Sequence, residues 1–172
     1  YMNNFIYKAR PDGLYILNLS AIDKRIRIFT KLLADYAPEE IIFVSRRENG
    51  WKPIKKFSQT TGIRVFTGRY PPGIFTNIAL ENFIEAKVLV VTDPWSDKNA
   101  MNDAIKAGML VIGLCDTNNE SNKLDLVVPC NNKGKKSLAL VMWITAREYL
   151  KSRGVIKDDS QFQENIEDWV QE

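Results

Sequence analysis

The chain contains no histidine. That absence excludes the Ser-His-Asp and Cys-His nucleophilic sites and every metal site built on imidazole. General acid–base work is left to carboxylates, lysine, tyrosine or cysteine. Cysteine is scarce as well. Cys115 and Cys130 each follow an apolar run that reads as a strand, and two cysteines in 172 residues fit a buried reduced pair rather than a disulfide framework. No apolar stretch approaches the roughly 18 residues of a membrane-spanning helix. The opening YMNNFIYKARPDG lacks the basic-then-apolar layout of a signal peptide. These absences lead to the expectation of one soluble, cytoplasmic domain that neither meets a membrane nor holds a metal.

Hydrophobic residues make up 45% of the chain and charged residues 26%, as in ordinary globular proteins. The net charge of +3 is unevenly spread. Residues 155–172, VIKDDSQFQENIEDWVQE, set one lysine against six carboxylates, a net of −5, so the first 154 residues carry +8. A basic body with an acidic tail directed elsewhere suits a polyanionic partner for the body and a protein partner for the tail. The boundary falls near Gly154, giving an α/β domain over 1–154 and an acidic tail over 155–172.

Hydrophobic patterning supplies the architecture. GLYILNL (13–19) reads as a strand, and Ser20 with Asp23 has the spacing of a capping box. Ile22, Ile26, Phe29 and Leu33 then share one helical face until Pro38 ends it. IIFVS (41–45) is a continuous apolar strand of the kind buried on both faces of a parallel sheet. WKPIKKFSQTTG (51–62) reads as a short basic helix stopped by Gly62, and IRVF (63–66) as a strand. The alternation continues with a helix over 77–86, a strand over 87–92 and a helix over 96–108 capped by Ser96. Strands over 109–115 and 124–129 follow, then a long closing helix over 134–154. Strands alternating with helices imply a three-layer α/β/α sandwich around a mostly parallel sheet, flavodoxin- or Rossmann-like.

In such sheets ligands gather at the carboxyl ends of the strands. The segments expected there carry cations more than catalytic pairs. Arg46, Arg47, Lys52, Lys55 and Lys56 lie within eleven residues around Trp51. Lysine and arginine suit phosphate contacts. Trp51 fits either a base-stacking surface or a half-buried helix start. Arg69 and Asn77 flank a loop stiffened by Pro71 and Pro72, made for shape and backbone contact instead of bond breaking. PCNNKGKKS (129–137) misses the phosphate-loop pattern G-x-x-x-x-G-K-[ST] twice, at Pro129 and at Lys136. What remains is a helix start dressed with Lys133, Lys135 and Lys136, which suits the phosphate of a nucleic acid or of a small phosphoester. No G-x-G-x-x-G follows any strand, and Asp93, Asp97 and Asp116 read as turn and helix-start residues.

Four stretches, GRYPPGIFTN (68–77), VVTDPWSDKNAMNDAIKAGMLVIGLCDTNN (90–119), DLVVPCNNKGKKSLALV (125–141) and AREYLKSRG (146–154), stand in the order and spacing of a known family. From about Phe5 to Gly154 the chain closely resembles the second protein of the small ribosomal subunit in its archaeal form, a family whose eukaryotic relatives are also called laminin-receptor precursor. The resemblance implies a non-catalytic protein without cofactor or small-molecule substrate, associated with the ribosome. It also implies binding to small-subunit rRNA and neighbouring ribosomal proteins, in subunit assembly and translation. Carried over by motif, Arg69 and Asn77 belong to the family's G-R/K-x-x-x-G-x-x-T-N signature. Asn131, Asn132, Lys133, Lys135 and Lys136 belong to the segment entering the last helix, and both segments are expected to contact RNA or shape the surface that does. Relatives carry a glycine- and histidine-containing segment before the point where this chain begins, so Tyr1-Met2 reads as the start of a trimmed chain. The long helical hairpin of the bacterial branch has no counterpart here. The alternative from a different class is an α/β enzyme that binds a nucleotide or sugar phosphate.

Overall fold

The computed structural model describes residues 2–171; Tyr1, read as a trimmed start, and Glu172, counted with the acidic tail, lie outside the described residues. Its centre is a five-stranded parallel sheet in the order β4-β3-β5-β6-β7, where β3 is Ile41–Ser45, β4 Arg64–Thr67, β5 Val88–Val91, β6 Leu110–Cys115 and β7 Leu126–Pro129. Every residue of β3 and β5 is buried, as continuous apolar strands require. Phe43, Val90, Ile112 and Leu114 point to one face, under α1 (Leu19–Ala34), α2 (Trp51–Thr61) and α4 (Lys135–Ser152). Ile42, Val44, Leu89, Val91 and Val111 point to the other, under α3 (Lys98–Lys106) and the proline loop's Tyr70, Ile74 and Phe75. Each such side chain withdrawn from water stabilises the fold by roughly 1.5–3 kcal/mol. The result is the expected three-layer α/β sandwich, with the second outer layer part helix and part loop.

Most elements stand where periodicity places them. Ile26, Phe29 and Leu33 of α1 are buried, and so are Leu138, Val141, Met142, Thr145, Ala146 and Tyr149 of α4. Gly62 ends α2 at φ +76°, a left-handed conformation that a side chain would strain. Both cysteines are free and buried on adjacent strand ends, and burial pushes the Cys115 thiol up to about 12.

Four expectations need correction. Only Tyr15–Leu17 of GLYILNL forms a strand (β2), and it pairs antiparallel with β1 (Ile6–Ala9) in a separate two-stranded ribbon. Asn18, not Ser20, caps α1: its side chain accepts the N–H groups of Ser20 at 3.0 Å and Ala21 at 3.4 Å, which puts Ser20 inside the helix. Residues 77–86 form turns instead of a helix. Asn77 Oδ1 accepts the Ala79 N–H, single turns close at Leu80 and Phe83, and the Ile84 N–H reaches back to the Ile74 carbonyl. That long-range bond draws the segment across the sheet, and the local propensity for helix is overridden. Ser96 does not cap α3, because its hydroxyl donates to Asp93 instead.

The acidic segment is also not directed away from the body. Phe162 and Trp169 belong to the same apolar cluster as α4, and Trp169 is 0% exposed. The Trp143 indole donates to the Glu164 carbonyl at 2.8 Å. Glu164 pairs with Lys56 at 3.1 Å, Asp159 pairs with Arg147 and Lys151, and Gln171 Oε1 accepts the Lys52 N–H at 3.0 Å. Two large aromatic anchors hold the strap, and its carboxylates meet cations of α2 and α4.

Trp169→Ala, three positions from the chain end, is therefore expected to cost about 3–5 kcal/mol, the usual loss for emptying a buried aromatic site. Urea denaturation of the two proteins checks this; an unchanged midpoint would show the strap to be an ornament.

Candidate nucleic-acid interface

From β3 the chain passes through α2 to β4 on one side of the sheet, and from β5 through α3 to β6 on the other. The carboxyl ends of β3 and β5 thus form the switch point where open α/β sheets leave a crevice. Here the crevice is closed by hydrogen bonds. Asp93, 1% exposed, accepts from the Arg47 guanidinium at 2.6 Å, the Ser96 hydroxyl at 2.9 Å, the Trp95 N–H at 3.1 Å and the Asn119 amide at 3.0 Å. Burial alone would raise its pKa, but the Ser96 hydroxyl, Arg47 and the Trp95 N–H outweigh burial and hold the carboxyl below its ordinary value. Asp97 accepts the N–H groups of Arg46 at 3.0 Å and Asp93 at 3.4 Å, and burial pushes its carboxyl up to about 7. The Thr92 hydroxyl donates to Ser45 Oγ at 2.8 Å, and Ser45 donates to the Arg47 carbonyl at 3.1 Å.

The network runs on to the remaining loops. Asn119 Oδ1 accepts from the Asp116 N–H at 2.8 Å and from Asn132 at 3.0 Å. Asn132 also donates to the Leu114 carbonyl at 2.9 Å. Asn131 Oδ1 accepts the N–H groups of Lys133 and Gly134, which fixes the turn that leads into α4. Asn49 donates to the Lys133 carbonyl at 2.8 Å, which ties the loop after β3 to that helix start. The proline loop is fixed separately. Asp103 of α3 accepts the Gly73 N–H at 2.9 Å and the Tyr70 hydroxyl at 3.3 Å, and Gly73 sits at φ +90°.

On this frame the expected site residues divide. Arg46 and Arg69 are exposed and line one cleft of about 220 Å³ with Tyr70, Ser96, Asp97 and Asn99. Lys133, Lys135 and Lys136 are exposed at the start of α4, where Lys133 also bonds Asn118 at 3.1 Å. Asn77 and Asn131 are exposed, each with its side-chain oxygen turned onto nearby backbone. Arg47 is turned inward onto Asp93, and Asn132 is fully buried, so both build the frame instead of its surface. Lys52, Lys55 and Lys56 lie on α2, Lys52 in its first turn, and the strap meets two of them, Lys52 through its backbone N–H and Lys56 through its ammonium. Trp51 is half-buried.

Sequence reasoning missed Asp93 and Asn119 as organisers. The signal was present as polar residues in the loops that follow two apolar strands, but an Asp before a proline reads equally well as a turn. Among the described residues, no group of three or more Cys, Asp and Glu side chains is placed to hold a metal.

Arg47→Ala leaves the Asp93 carboxylate buried without its cation. A loss of about 3 kcal/mol is expected, the low end for a broken buried pair because the guanidinium is partly open to water. Asp93 in the wild type is held below its unfolded value, so its contribution is present above about pH 4 and drains away as the pH falls. In the variant burial raises the same carboxyl, so the deficit shrinks on acidification. Urea titrations at several pH values check both size and sign.

Residues 81–152 match the family described as Ribosomal protein S2. The chain is 48% identical over 168 residues to small ribosomal subunit protein uS2 of Nanoarchaeum equitans, an alignment that covers 98% of this chain and 84% of that one. It is 45% identical over 168 residues, with the same coverage, to the uS2 of Picrophilus torridus. With the uS2 of Staphylothermus marinus it shares 44% over 164 residues, 95% of this chain and 74% of that one. Identity at this level along nearly the whole chain joins the four motif stretches and the parallel fold in one conclusion: the chain belongs to the ribosomal protein S2 family, that of small ribosomal subunit protein uS2.

Proposed function

We propose that this chain is a structural constituent of the small ribosomal subunit, at work in the cytoplasm. It binds small-subunit rRNA and neighbouring ribosomal proteins and catalyses nothing. The observation that carries the RNA contact is the convergence at one sheet edge of exposed cations from three separate stretches: Arg46, Arg69, and the Lys133, Lys135 and Lys136 group. Phosphate contacts of this kind position a protein on RNA without reading its sequence. They need a firm surface, and the hydrogen-bonded frame beneath supplies one.

The same frame weakens the alternative reading as a nucleotide or sugar-phosphate enzyme. Asp93, a natural candidate for acid–base work at the switch point, has its oxygens occupied by four donor groups. The cleft beside it, about 220 Å³, falls below the roughly 300–1,000 Å³ of small-molecule pockets. The larger hollow, about 790 Å³ between the β1–β2 ribbon, α1 and α4, is lined mainly by apolar side chains, with Asp116, Thr117, Asn131, Lys133 and Ser137 also on its wall, and suits a protein neighbour.

The test is rebinding of the chain to archaeal small subunits stripped of this protein by high salt. Changing Lys133, Lys135 and Lys136 together to alanine should weaken rebinding and flatten its dependence on salt by about 2 in the log–log slope, at roughly 0.7–0.9 for each phosphate no longer neutralised. Arg69→Ala should weaken it by a smaller amount, with the urea midpoint unchanged in both. Rebinding indifferent to salt and to all four residues would overturn the RNA contact.

A further inference from the structure

Trp95 is the anomaly of the carboxyl edge. It is 73% exposed, while Asp93, Pro94 and Asp97 around it are buried. An indole left in water forfeits the largest burial gain any side chain offers, so its position calls for a partner. The turn that carries it is held from both sides. Its own N–H donates to Asp93 Oδ1 at 3.1 Å, and Ser96 donates to Asp93 Oδ2 at 2.9 Å. Pro94 packs so closely on β6 that a Cβ at Gly113 would lie 3.2 Å from its ring. The backbone is thus pre-organised and only the side chain is left over.

The surroundings indicate what covers it. Ser96 and Asp97, the next two residues, line the cleft with Arg46 and Arg69, and the exposed Lys98 opens α3 just beyond. Asp93 is neutralised by Arg47, and Asp97 is buried with its oxygens turned onto the N–H groups of Arg46 and Asp93, so the exposed charge here is that of the arginines and Lys98. An apolar protein segment would gain nothing from two arginines at its flank. A nucleotide uses both parts: its base has a π-face for the indole and its phosphate a charge for the guanidinium groups.

Resting on the rRNA reading above, we propose that Trp95 stacks on an unpaired nucleobase of the small-subunit rRNA, whose adjoining phosphate lodges in the cleft between Arg46 and Arg69. The contact is tolerant of base identity because every base offers a stacking face, and it requires a single-stranded or bulged nucleotide at this point.

The experiment is rebinding of Trp95→Leu and Trp95→Phe to the same stripped subunits, followed by ultraviolet crosslinking and mass spectrometry of nucleotide–peptide adducts. Neither substitution touches a buried contact, so both variants should keep the wild-type urea midpoint. Trp95→Leu should bind about 10-fold more weakly with an unchanged salt slope, since a stack carries no ionic term. Trp95→Phe should recover most of the affinity, and the wild-type peptide containing Trp95 should carry a nucleotide adduct. Unchanged rebinding by Trp95→Leu, with adducts confined to the Arg69 and α4 peptides, would overturn the stack and leave the RNA-binding reading standing. Weakened rebinding with a protein crosslink at this position would replace the RNA base by a ribosomal protein. Salt-indifferent rebinding with no nucleotide adduct anywhere would overturn both.

Discussion

A carboxylate sealed from water must be matched by donors or it does not stay charged, and Asp93 meets that requirement with contacts from three of the loops at its edge of the sheet. Arg47 comes from the loop after β3, Trp95 and Ser96 from the loop after β5, and Asn119 from the loop after β6. Asn119 in turn holds Asn132, at the entry to α4. The loops of an open α/β sheet have few apolar side chains with which to fix one another. Here a single buried charge does so at the switch point, where related architectures leave room for a ligand. The crevice is thereby converted from a pocket into a framework.

What is left outside this framework is positive charge. Arg46 is held by its backbone N–H on Asp97, so its side chain remains available to the cleft, whereas Arg47 next to it is drawn inward. The proline loop is tied to α3 through Asp103 and carries Arg69 on a segment whose Tyr70, Ile74 and Phe75 are packed into the second face of the core. Just before α4, Asn131 accepts the N–H groups of Lys133 and Gly134, and three lysines surround the helix start. The acidic strap lies against α2 and α4, where Glu164 pairs with Lys56 and Asp159 with Arg147 and Lys151, none of which belongs to the cleft or to the α4 start. The strap's carboxylates are thus engaged with other cations, which leaves exposed positive charge at the carboxyl edge suited to a polyanion.

Much of this is written in the sequence where a pattern has one physical meaning. IIFV (41–44) and VLVV (88–91) are apolar at every position and have no option but a strand covered on both faces. The spacing in α4 and the glycine after α2 are equally unambiguous. Sequence was less informative where two readings share one signal. NIALENFIEA has helical spacing, but a bond from Ile84 to Ile74 ten residues earlier settles its path, and local pattern carries no trace of that contact. The strap was read by its charge; its structure follows from Phe162 and Trp169, two aromatics dispersed among acidic residues. Of the candidate site, the cations were legible because lysine and arginine in clusters have few structural uses. The division between Arg46, facing out, and Arg47, facing in, was not, because adjacent arginines are alike until a buried partner selects one. The burial of Asn132 was illegible for the same reason: an asparagine in a loop looks exposed until its neighbours are known.

The central claim is that this face attaches to the small ribosomal subunit by charge. Its most direct measurement is sucrose-gradient sedimentation of the tagged protein from archaeal lysate, at low and then at high salt. The account requires co-migration with the small subunit at low salt and release as the salt is raised, because phosphate contacts weaken as counterions are restored. Sedimentation as a free small protein at low salt would contradict it.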